Sequence, residues 1–166
     1  MIPSVRVARQ FLSRITALKK IKTPYGVKKI DNSYEIPYLC GYNKKGDTVY
    51  IDKRLNKDLT LKDGRIMDVT KYLIVHESDE KHLEDEKDYK YPYAHEQATK
   101  AEREAVEADG YPWDEYQDYV LSEVKRLKKI DPKEPIPDDY DDKPEKDKPR
   151  DYGLLKVIRQ HQEKRA

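Results

Sequence analysis

Residues 69–83 read VTKYLIVHESDEKHL, and the spacing of their apolar members decides the fold. Val69, Tyr72, Leu73, His76, Glu80 and Leu83 lie three or four positions apart, apart from the adjacent pair at 72 and 73, and so trace one continuous helical face. Asp68 offers a capping side chain just before this run, with Thr70 a weaker competitor, so a helix from Val69 to about Asp85 is expected. His76 and Glu80 sit where the pattern asks for apolar residues. Charge has room on the expected outer face, at Ser78, Asp79, Lys81, Glu84 and Glu86. A carboxylate on a buried stripe costs on the order of several kcal/mol unless it is paired or metal-bound. Something must offset that cost.

The next helix repeats the anomaly. It is expected over Tyr93–Asp109, with Pro92 tolerated near its start and Gly110 stopping it. Ala94, Ala98, Ala101, Ala105 and Ala108 form a small-residue stripe that admits a close neighbour, and His95, Glu102 and Asp109 lie beside it. If the two helices pack antiparallel, His76 and Glu80 face His95 and Glu102. Two imidazoles and two carboxylates converging in a small core make a candidate divalent-metal site. The same four residues equally suit a structural polar network, with a His76–Glu80 hydrogen bond answered across the interface by His95 and Glu102. His82 and His161 read as ordinary surface histidines.

Residues 76–80, HESDE, place Glu77 directly after His76. In a His-Glu-x-x-His helix, two ligands lie one turn apart and the intervening Glu activates metal-bound water. Here Glu80 holds the second histidine position. This segment resembles the zincin metallopeptidases. The resemblance runs over roughly 37–110. It adds a strand-like Thr48–Asp52, comparable to the edge strand on which those enzymes hold extended substrate, and a Glu/Ala-rich following helix comparable to the one supplying the third ligand. It implies zinc as cofactor, His76, Glu80 and His95 as ligands, Glu102 as a fourth or supporting carboxylate, and Glu77 as catalytic base.

Outward from these helices, a third is expected over about Trp113–Lys129, where Trp113, Tyr116, Val120, Val124 and Leu127 recur at helical spacing. Upstream, Glu35–Tyr42 and Asp47–Asp52 read as strands joined by the turn-forming Asn43-Lys44-Lys45-Gly46. Thr23–Ser33 reads as a loop broken by Pro24 and Gly26, and Lys53–Arg65 as a polar connection carrying a short strand or a turn at Asp63-Gly64. The fold class that follows is α+β: a small β-hairpin or sheet, then a three-helix core over 23–130. Residues 131–151 combine five prolines with clustered acids and lysines and read as an extended linker, followed by a short amphipathic helix over 152–166. Residues 1–22 read as a basic amphipathic helical arm.

Composition narrows the function classes. Of the 166 residues 40% are charged, yet the formal net charge is +1, which argues against a whole-molecule polyanion binder. Fourteen tyrosines against one Phe and one Trp suit a thin core in which rings are buried while hydroxyls find polar partners. The single cysteine, Cys40, excludes an intramolecular disulfide and a multi-cysteine zinc site and points to a reducing compartment. No run approaches the roughly 20 apolar residues of a membrane span. The expected location is cytoplasmic or within a virion, with the Arg-rich start also compatible with mitochondrial targeting. The alternative to a metal-dependent peptidase is a non-catalytic assembly component, such as a phage particle protein, docking on protein partners through 1–22 and 152–166. Nucleic acid is a weaker candidate partner, because the arm holds few stacking residues.

Overall fold

A computed structural model of the chain describes residues 20–36, 39–128 and 135–142. Their element order is β1 (Lys20–Thr23), β2 (Gly26–Asp31), β3 (Cys40–Tyr42), β4 (Thr48–Ile51), β5 (Asp58–Thr60), β6 (Ile66–Asp68), α1 (Thr70–Glu86), α2 (Tyr91–Ala108) and α3 (Trp113–Lys128). The class is α+β. Four strands form a sheet in the order β1-β2-β4-β3, in which β2 and β4 run parallel and the other neighbours antiparallel. β5 and β6 form a separate two-stranded hairpin, turned at Gly64, whose φ of 89° suits a residue without Cβ.

The helices fall within two residues of their expected bounds. Asp68 still accepts from the Thr70 N–H at 2.9 Å, although Val69 occupies the cap position itself. α1 and α2 are antiparallel: Tyr72, His76 and Glu80 meet Asp109, Glu102 and His95 in reversed order. Ala94 and Ala98 are fully buried, as the small-residue stripe requires.

Several expectations are corrected. Thr23–Ser33 is not a loop: Pro24 and Tyr25 turn the β1–β2 hairpin, and Tyr25 stacks on His82 of α1 with centroids 4.0 Å apart while its hydroxyl bonds Asp79. Lys20–Lys22 of the expected basic arm belong to β1; residues 1–19, like the expected helix at 152–166 and His161, lie outside the described residues. Thr48–Asp52 is not a sheet edge, because β4 sits between β2 and β3 and the edge strands are β1 and β3. Nor is 131–151 wholly a linker. Within it, residues 135–142 dock on the domain, with Tyr140 3% exposed in a second small cluster with Ile36 and Tyr50.

The outer face expected of α1 is also largely covered. Ser78, Lys81 and Glu84 are all buried, because the β1–β2 hairpin, β3, α2 and the 135–142 segment surround this helix. The principal core packs Val69, Tyr72, Leu73 and Ile74 of α1 against Val49, Ile51 and Leu59 of the strands and Val106, Tyr116 and Leu127 of the other helices. No helix among the described residues is long and apolar enough to cross a membrane.

Candidate metal centre

α1 supplies His76, Glu77, Glu80 and Glu84 to the interior; α2 supplies Glu102 there and the half-buried His95 beside it. The four carboxylates are each less than one-tenth exposed. The sequence therefore concentrates negative charge where water cannot screen it, and the neighbouring groups must carry the compensation.

Glu102 has no vacant role. One oxygen accepts from the Tyr116 hydroxyl and the other lies 2.9 Å from His76 Nδ1. A carboxylate accepts and does not donate, so the proton on that contact belongs to Nδ1. Burial works against the His76 imidazolium. The Glu102 charge and the hydrogen bonds to Glu102 and Glu80 outweigh it and hold its pKa well above the ordinary histidine range.

With Nδ1 committed, His76 turns Nε2 toward Glu80 Oε2 at 3.2 Å and His95 Nδ1 at 3.1 Å, while His95 Nδ1 and Glu80 Oε2 are 2.9 Å apart. The three atoms form a nearly equilateral triangle. With Glu80 ionised, as its depressed pKa requires, protons cannot satisfy all its sides. If both nitrogens donate to Glu80, the N···N side sets donor against donor; if one nitrogen is bare, its side to Glu80 sets acceptor against acceptor. A cation facing all three lone pairs resolves this, and neighbouring donors around a tetrahedral ion with bonds of about 2 Å are separated by roughly 3.3 Å. His76, Glu80 and His95 are the group among the described residues that could hold a metal ion.

The structure thus brings all four expected residues together but separates their roles. His76, Glu80 and His95 face a common point. Glu102 stands behind His76 with both its oxygens engaged, the supporting one of the two positions expected for it. Glu77 is buried and accepts from the Cys40 thiol at 3.0 Å. Burial, followed by the Glu77 charge, pushes the Cys40 pKa well up, so it stays a neutral donor.

Sequence reasoning missed the tyrosine shell. Tyr42 of β3 lies 2.8 Å from Glu84 and 3.1 Å from Glu80, and burial, with the Glu80 charge next, raises its pKa steeply. Tyr116 serves Glu102, and Tyr91 places its hydroxyl 3.3 Å from His95 Nδ1. The signal was the tyrosine excess itself: each ring fills core volume while its hydroxyl answers a buried polar group. No protein-family model matches this chain, and no curated protein or solved structure shows significant similarity to it.

Proposed function

We propose that this chain binds zinc at His76 Nε2, His95 Nδ1 and Glu80 Oε2 and is a zinc-peptidase-like hydrolase. The triangle of three mutually close donor atoms carries the reading, since with Glu80 ionised no distribution of protons satisfies every side. Two imidazoles and one carboxylate are a ligand set found in catalytic zinc sites, which keep a further position for water. Glu102 behind His76 supports it: a carboxylate on the far nitrogen fixes the ring and raises the basicity of the ligating one. Zinc supplies Lewis acidity and a lowered water pKa. Glu77 is the residue assigned to accept the proton from that water, since it follows His76 on α1 and its carboxylate is buried.

Zinc titration of the purified chain, with elemental analysis, tests the metal. The wild type should take up one equivalent and His76→Ala should lose it. Glu77→Gln should retain zinc and abolish hydrolysis of a peptide library. Absence of zinc uptake by the wild type at micromolar zinc would refute the site. Zinc uptake without hydrolysis would leave a structural metal and reject the peptidase.

A further inference from the structure

Beyond the end of β3, Asn43 and Tyr140 form an antiparallel bridge. The Lys44 N–H donates to the Asp139 carbonyl at 2.7 Å, and the Asp141 N–H donates to the Tyr42 carbonyl at 2.9 Å. Residues 139–141 therefore extend the sheet at its β3 edge in the manner of an added strand. Their side chains alternate as strand residues do. The Tyr140 ring enters a slot beside Ile36 and Tyr50, over Gly41; a Cβ at Gly41 would fall 2.6 Å from Tyr140 Cε2. Asp139 accepts from the Tyr50 hydroxyl at 2.5 Å and from Asn43 Nδ2 at 3.3 Å. Asp141 accepts from Lys81 Nζ at 2.9 Å.

We propose that the β3 edge, with Lys81 of α1, is a recognition site for an extended acidic peptide carrying a central aromatic residue, and that residues 139–141 fill it as a built-in competitor. Three features select that ligand. Main-chain pairing to an edge strand accepts any extended chain and leaves selectivity to alternate side chains. Gly41 clears the floor for a planar ring, which an aromatic fills. Lys81 is 7% exposed and pairs with Asp85 of its own helix, and a carboxylate on the bound strand gives it a second partner, as Asp141 does, while Asn43 with Tyr50 offers donors to another. An aspartate–aromatic–aspartate pattern meets all three. None of the groups that grip the strand is a proposed zinc ligand, so the site stands whether or not the metal reading does.

The occupant in trans is an acidic–aromatic–acidic segment of another protein, which competes with the tethered strand. A tether supplies an effective concentration on the order of millimolar, so the wild type should resist exchange. The probe is a fluorescent peptide of sequence PIPDDYDD, residues 135–142, measured by anisotropy against full-length wild type, Tyr140→Ala, and the double variant Asp139→Asn/Asp141→Asn. Both variants should bind the peptide at least about tenfold more tightly than the wild type does, because their own strand competes less well. A peptide with Ala in place of its Tyr should not bind. Should Tyr140→Ala fail to fold, the double variant, which keeps the ring, carries the comparison. Equal affinity for wild type and folded variant overturns the proposal, and so does no binding by either. Concentration-dependent dimers of the wild type that the variants lose would also overturn it, by making a second copy the occupant.

Discussion

His76 and Glu102 are joined by a 2.9 Å contact that decides which imidazole nitrogen faces the rest of the site. Because Glu102 also takes the Tyr116 hydroxyl, its carboxylate is held from both sides and the His76 ring cannot rotate without breaking that contact. The α2 residue thus acts through the α1 residue. Glu102→Gln should lower zinc affinity by about 10- to 100-fold without removing a ligand, whereas His76→Ala should remove uptake. Isothermal titration on both variants checks this; equal losses would place Glu102 on the metal itself.

Tyr42 presents one hydroxyl to two buried carboxylates, Glu80 and Glu84. Tyr42→Phe keeps the ring volume and removes the shared donor. It should cost about 1–3 kcal/mol in denaturant unfolding, because two buried acceptors lose a shared donor. A change within about 0.5 kcal/mol would mean that the carboxylates are served from elsewhere.

Gly41→Ala tests the slot from its floor. The added methyl meets the Tyr140 ring at 2.6–2.7 Å from two ring carbons. Overpacking of this kind costs typically about 1–3 kcal/mol. The strand at 135–142 should be displaced, and limited proteolysis should cut there faster than in the wild type.

The helices were legible because α2 and α3 carry clear periodicity and stops such as Gly110, and because in α1 His76 and Glu80 interrupted an otherwise apolar stripe. The convergence of His76, Glu80, His95 and Glu102 followed from that violation and the alanine stripe. What was not legible depends on contacts between distant segments. Ser78, Lys81 and Glu84 look solvent-facing by composition, yet they are covered by elements that no local pattern relates to α1. Pro24 and Gly26 read as breakers when they close a hairpin, since turn chemistry alone does not distinguish the two. Tyr140 was hidden within an acidic, proline-rich context, and what docks it, the room over Gly41 and pairing with the distant β3 edge, leaves no local pattern.

Ser78 offers a contrasting case. Its hydroxyl is buried, and among buried side-chain atoms of the described residues it is the one with no hydrogen-bond partner. Ser78→Ala removes an uncompensated polar group and adds helix propensity, so the protein should gain up to about 1 kcal/mol in stability. A loss of similar size would reveal a partner for this hydroxyl.

The last prediction concerns pH in the chelated protein, where the buried histidine–carboxylate cluster must balance its own charge. Burial raises the Glu80 pKa, but hydrogen bonds from His76 and His95 and their charges win and bring it down to about 2 from an ordinary 4.5. A depressed carboxylate contributes stability that is whole above its unfolded pKa and is lost as pH falls through the folded one. The His76 pKa, raised from 6.5, works in the opposite sense: its contribution is whole below 6.5 and is lost as pH rises through the elevated folded value. The metal-free protein should therefore melt highest between about pH 4.5 and 6.5 and lose stability on both sides. Zinc should reverse the alkaline limb alone, because it takes the Nε2 lone pair that the proton otherwise occupies, so its affinity rises as His76 deprotonates. Thermal melts in chelator and in excess zinc, from about pH 3 to about pH 9, should diverge increasingly above neutrality and converge in acid. Parallel curves across that range would show that zinc and the His76 proton do not compete, and His76 would then not be a ligand.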